Sequence, residues 1–162
     1  MTAFVTTPDG KLSEGIARRK IEGTVEKDGK TYFRTRTSMD ASPIKGESTM
    51  LVRKDEKAFY SIDESVPGSV EQVEIPLPLK VGATWTRKRG PLTITDTVMG
   101  LETVSISGRK FENCYHIRSI ASDGSSSEDF WEAPNVGSIK SKIVYRNGMK
   151  ITLAVKDFKI AK

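Results

Sequence analysis

The chain of 162 residues has one cysteine, Cys114, and one histidine, His116. A single thiol excludes an internal disulfide. It fits a reducing compartment and equally an envelope domain that uses no disulfides. A single histidine confines any catalytic triad to one position, and no G-x-S-x-G elbow supplies the serine. Cys-x-x-Cys and His-x-x-x-His spacings are missing, so no metal site is expected. Ser125 to Asp129 offers oxygen ligands but not the calcium-loop spacing, and reads as a solvated turn. No glycine-rich phosphate loop occurs, and no cofactor is expected. Apolar runs stay far short of the ~20 residues that span a bilayer. Met1 to Gly15 lacks a basic start followed by an apolar stretch, so no signal peptide is expected there. Sustained 3.6-residue periodicity is also missing, with Glu14 to Lys20 the one weak helical stretch.

What is present is turn chemistry and charge. Charged residues make up 29% and hydrophobic residues 36%, a mixture that builds one core at this length. The net charge is +5. Residues 1–81 carry 13 basic and 13 acidic side chains, and residues 82–162 carry 13 and 8. The surplus therefore lies in the second half, where it suits an anionic partner or simply a solvated basic surface.

Short β-patterned runs alternate with turns. Residues 1–15, rich in Thr, Pro, Asp, Gly and Ser, are expected as a flexible arm before a single β domain over 16–162. Ile16 to Met39, broken at Asp28-Gly29, reads as a hairpin. Its apolar residues Ile21, Val25, Phe33 and Met39 are all odd-numbered, which favours a three-residue loop, Lys27-Asp28-Gly29. Residues 40–48 read as a loop. Met50–Val52 and Ala58–Ile62 flank a charged turn as a second hairpin. Pro76-Leu77-Pro78-Leu79 must run along an edge or the surface. Strands follow to about Lys88, over Leu92 to Ile106 around Gly100, and over Phe111 to Ile120. A three-residue loop, Ser122-Asp123-Gly124, would set Tyr115 against Trp131 and Arg118 against Glu128.

The last hairpin is the most sharply specified. Ile139, Ile143, Tyr145, Met149, Ile151, Leu153 and Val155 are all odd-numbered. Only an odd loop, Arg146-Asn147-Gly148, keeps them on one face. Burial at ~1.5–3 kcal/mol each outweighs the two-residue preference of Asn-Gly. Lys140, Lys142, Lys150, Thr152 and Lys156 fall on the other face. The fold expected is all-β: a mostly antiparallel, strongly curved sheet, an open barrel or half-barrel.

A corner, W-E-A-P-N-V-G-S-I-K, joins this hairpin to the strand before it. Pro134 stops the strand, and Gly137 permits a backbone angle that side chains resist. This corner, L-K-V-G-A-T-W (Leu79 to Trp85), V-S-I-S-G-R-K-F-E-N-C-Y-H-I (Val104 to Ile117) and the final N-G hairpin together resemble uncharacterised bacterial cell-envelope domains, many of them lipoprotein-like. The family pattern reads A-P-G-V-G where this chain has Asn135, a residue that also tolerates left-handed backbone. The resemblance spans about half of the chain. It implies a half-barrel related to periplasmic lipoprotein carriers, a location in the periplasm or envelope, and a concave sheet able to hold an apolar or lipid ligand or to meet an envelope protein.

The expectation is accordingly a non-enzymatic binding or scaffold domain, with Trp85, Tyr115, Phe130 and Trp131 lining any concavity. One alternative is an enzyme using Cys114 and His116, which lie two apart on a strand and so share a face. Another, disfavoured, is nucleic-acid binding by the basic C-terminal face. The run Arg87-Lys88-Arg89 supports it poorly, because alternation opposes Lys88 to its neighbours. Adjacent carboxylates such as Glu128-Asp129 point to opposite faces, so they cannot act on one bond, and turn solubility explains them. A monomer or an edge-strand dimer is expected.

Overall fold

Alternation between frequent turn signals builds sheet, and this chain builds little else. The computed structural model describes residues 1–157, and among them there are twelve strands, one antiparallel sheet and no helix. The strands are β1 (Thr2–Thr6), β2 (Leu12–Lys27), β3 (Lys30–Ala41), β4 (Ile44–Lys54), β5 (Ala58–Asp63) and β6 (Gln72–Pro76). They continue as β7 (Thr84–Arg89), β8 (Leu92–Ile106), β9 (Arg109–Ala121), β10 (Ser126–Ala133), β11 (Gly137–Tyr145) and β12 (Lys150–Ala154).

The order across the sheet is β6-β5-β4-β3-β2-β1-β12-β11-β10-β9-β8-β7. The sheet curls into a nearly closed barrel, with β6 and β7 facing each other across one unsealed seam. Side chains bridge that seam. Trp85 donates its indole N–H to the Glu74 carbonyl at 2.9 Å, and the Lys88 amide donates to Gln72 Oε1 at 2.8 Å. Pro76 ends β6 at this edge, as its missing N–H requires.

Residues 1–15 are not an arm. β1 lies between β2 and β12, and Ala3 and Val5 are fully buried. The polar composition of this stretch hid two small apolar residues at alternate positions, enough for a strand in the middle of a sheet. The weak helical stretch at Glu14 to Lys20 lies within β2. Gly15 passes so close to β3 that a Cβ there would stand 2.1 Å from the Asp40 carbonyl oxygen. The loop expected at 40–48 shrinks to two residues, since Ala41 pairs with Ile44.

The β2–β3 turn is the two-residue Asp28-Gly29, with both residues at positive φ, not the three-residue loop expected. A bulge between Ile21 and Gly23 then shifts the register by one. From Ile16 to Ile21 the pairing is the one an odd loop would give, for example Ala17 with Met39. The odd-numbered set is therefore split: Ile21, Phe33 and Met39 share one face, while Val25, paired with Tyr32, falls on the other and packs with Tyr32, Leu51 and Ile62.

The last hairpin follows its pattern. Ile143 pairs with Ile151 around the loop 146–148. Ile143, Tyr145, Met149, Ile151 and Leu153 pack with Ala3, Val5 and Ala41. Ile139 and Val155 belong to a second cluster with Cys114, Trp131 and Ala133. The bulge beside Trp131 explains the split, because it turns Ile139 away from its odd-numbered neighbours. A third cluster joins Tyr32, Leu51 and Ile62.

Candidate functional site

Residues paired across neighbouring strands share a face. On that rule Asp96, Ser119, Glu128, Ile143, Ile151 and Val5 form one transverse row. Val98, Ile117, Phe130, Ser141, Leu153 and Ala3 form the next. Both rows lie on the inner, buried face. Trp85 and Arg87, paired with Asp96 and Ile94, continue this face into β7.

Three of the four aromatics expected to line a concavity therefore share the inner face. Trp85 pairs with Asp96, Phe130 with Ile117, and Tyr115 lies two residues before Ile117. Tyr115 also donates its hydroxyl to the Leu79 carbonyl at 3.2 Å. Trp131 does not join them. It pairs with His116, not Tyr115, and Arg118 meets Asp129, not Glu128. The loop between β9 and β10 has four residues rather than three, and one residue of register reverses every face.

A cavity of about 230 Å³ opens on the inner face of β7 to β11. Leu92, Ile94, Ala121, Ile143 and Tyr145 give it an apolar wall, and Arg87, Arg89, Ser119 and Glu128 give it a polar one. Alternation placed Arg87 and Arg89 together and Lys88 opposite, and that is the arrangement found. Arg87 is held between Asp96, 2.8 Å away and fully buried, and Glu74, 3.3 Å away on β6. Ser119 donates to the other Asp96 oxygen, and Ser61 donates to Glu74 at 2.5 Å. The buried charges are thus paired and hydrogen-bonded, the condition for keeping them in a core.

Two further carboxyls face inward from β10, on either side of Phe130. Glu128 is not a soluble turn residue. Burial raises its pKa, and Arg89 and Arg87 partly offset the effect. Burial also pushes Glu132 up to about 7, with Arg19 and Ser138 opposing. Asp96, Glu128 and Glu132 escaped the sequence reading. The signal for Asp96 was available: a carboxylate between Ile94 and Val98 on an apolar alternation.

The reverse face carries a different cluster. His116 Nδ1 lies 2.8 Å from Glu102, and Nε2 lies 2.7 Å from Asp129. A neutral imidazole donates from one nitrogen only, so both contacts are made as donors when the ring carries two protons. The ring stacks on Trp131 at 4.8 Å between centroids, and Trp131 donates to Glu102 at 2.8 Å. Arg118 and His116 hold the Asp129 carboxyl below its usual range despite the opposing effect of burial. Cys114 shares this face with His116, as alternation requires, but its buried thiol donates to the Phe111 carbonyl at 3.4 Å. Burial raises the thiol pKa, the reverse of what a thiolate nucleophile needs. Among the described residues no group of three His, Cys, Asp or Glu side chains is placed to hold a metal ion.

A larger cleft of about 390 Å³ lies between Glu22, Arg34, Arg36, Glu47 and Glu64 on the outer side. It is open, and its arginines are already taken. Arg34 meets Glu64, and Arg36 meets Glu22 and Glu47. The smaller inner cavity has the mixed apolar and polar lining that a binding site needs. Compared with protein-family models, with curated proteins and with solved structures, the chain matches none. No helix among the described residues is long and apolar enough to cross a membrane.

Proposed function

We propose that the protein is a non-enzymatic binding domain of the bacterial envelope that holds a small amphiphilic molecule inside its barrel. The observation that carries this is the inner cavity, apolar along Ile94, Ala121 and Ile143 and charged along Arg87, Arg89 and Glu128. An apolar tail would lie on the first wall, and a polar head would meet the second. Its volume, about 230 Å³, falls below the ~300–1,000 Å³ of drug-sized sites. The ligand is then a short-chain amphiphile rather than a complete diacyl lipid. The envelope location rests on the corner and hairpin motifs that resemble envelope domains.

The test is titration with short alkyl carboxylates, alkylamines and alkyl glycosides, followed by methyl NMR. Shifts at Ile94, Ala121 and Ile143 are expected, and Ala121→Trp should abolish them by filling the cavity. Trp131→Ala, on the other face, should leave them unchanged. Binding that survives Ala121→Trp in a folded protein rejects the site, and no shift with any of the three classes rejects the ligand class.

A further inference from the structure

The barrel's outer face carries a second pattern, independent of the lumen. Pairing sets Leu12, Thr6, Lys150 and Val144 in one outer row. Glu14, Phe4, Thr152 and Lys142 form the next, and Ile16, Thr2, Ala154 and Lys140 the third. Large apolar side chains stand open to water here: Leu12 is 65% exposed, Ile16 49%, Val144 42% and Phe4 36%. Each row also brings a lysine from β11 or β12, and exposed Arg18 and Lys20 extend the basic rim along β2. Glu14 is the one acidic side chain in the three rows. Two carboxylates border the rows: Asp129, beside Lys142, is held by Arg118 and His116, and Asp40, beside Ile16, pairs with Lys45 at 2.9 Å. Among the described residues, neither these lysines nor Arg18 enters an ion pair, and Lys140 and Lys142 sit over the Trp131 ring at 4.9 and 5.9 Å.

We infer that the outer face of β2, β1, β12 and β11 docks on the surface of an anionic lipid bilayer. Lysines attract anionic headgroups, and apolar side chains at the same level enter the boundary between headgroups and acyl chains. Four strands at ~4.8 Å spacing give a contact roughly 15 Å wide, which suits a reversible surface contact. The aliphatic character of the patch favours a bilayer over nucleic acid. Single strands are gripped by successive aromatic faces, and here Phe4 stands alone among aliphatic side chains while Trp131 is covered by His116 and lysine.

The experiment is co-sedimentation of the full chain with phosphatidylcholine vesicles, with and without phosphatidylglycerol, over a series of salt concentrations. Binding is expected on the mixed vesicles only, and it should weaken as salt rises. The combined substitution Lys140→Glu, Lys142→Glu and Lys150→Glu should weaken it by more than ~tenfold. Phe4→Ser with Val144→Ser keeps the charges, and should reduce binding and shorten residence on the vesicle. Lys142, Lys150, Phe4 and Val144 are exposed and Lys140 is half-buried over Trp131, and far-UV circular dichroism checks the fold of each variant. The inference fails if the wild-type chain ignores mixed vesicles at low salt, or if the lysine variant binds as well as wild type. It also fails if oligonucleotides displace the protein from vesicles while the serine variant binds unchanged, since the face would then be read by charge alone.

Discussion

The two charged clusters of the second half sit back to back on one sheet and obey different rules. Inside, Arg87 is fixed between Asp96 and Glu74, and its side chain is only 9% exposed. Outside, His116, 14% exposed, is fixed between Glu102 and Asp129, whose side chains are 46% and 27% exposed against 0% and 24% for Asp96 and Glu74. Water screens and replaces the outer contacts, but it reaches the inner ones poorly. The difference teaches that similar hydrogen-bonded geometry carries different weight on the two faces. Inside, each group depends on every other. Outside, losing one partner is repaired by solvent.

The sharpest way to break the comparison is Asp96→Ala. It leaves the Arg87 guanidinium and the Ser119 hydroxyl without their shared partner, and should destabilise the fold by about 3–5 kcal/mol in urea unfolding. A loss under 1 kcal/mol would place the inner cluster on the same footing as the outer one. Next is Glu132→Gln. The folded pKa of Glu132, about 7, lies above its unfolded value. Its cost is therefore absent below the unfolded pKa, grows as pH rises, and is complete above about 7. The variant should be more stable than wild type by up to about 3 kcal/mol at alkaline pH, with the difference gone in acid. Equal stability at both pH values would contradict the burial of this carboxyl.

On the outer face Asp129→Asn should cost only about 1 kcal/mol at neutral pH. The sign is opposite to that of Glu132. A carboxylate with a lowered pKa contributes above its unfolded value, and that contribution is lost as pH falls through the folded one. Parallel unfolding curves for variant and wild type in acid, diverging toward neutrality, are the expected record. The smallest effect is at the seam. Trp85→Phe removes one indole hydrogen bond to the Glu74 carbonyl, about 1 kcal/mol or less. Amide exchange in β6 should speed up while the rest of the sheet keeps its protection.

Much of the architecture was legible because burial enforces parity. The odd-numbered set from Ile139 to Val155 dictated the loop at 146–148, and Asn135 adopts the left-handed conformation, φ 61, that its place in the corner needs. Other registers were illegible because the chain changes parity in mid-strand. The bulge after Ile21 puts Val25 against buried Tyr32 and leaves Ile21 and Phe33 half-exposed on the other face. One extra residue in the β9–β10 loop moved Trp131 out of the lumen, and nothing in the polar run Ser122 to Ser126 forecasts its length. The inner carboxyls were hidden for another reason. Composition rules send charge outward, and Asp96, Glu128 and Glu132 are kept inside by arginines and serines that become their neighbours only once strands pair.

The strand order has a consequence for how the chain assembles. β1 to β6 is a meander of neighbouring hairpins, and so is β7 to β12. The two meanders are joined in space by β1 against β12, a pairing of opposite ends of the described chain. Hairpins close fast because their loops are short, whereas this last pairing waits for nearly the whole sequence. During synthesis the first meander therefore emerges with β1 as an open edge, its backbone unpaired until β12 arrives. An edge of that kind invites other strands. The exposed interval ends only when the final hairpin has left the ribosome, which makes the chain's slowest contact also its protection against aggregation.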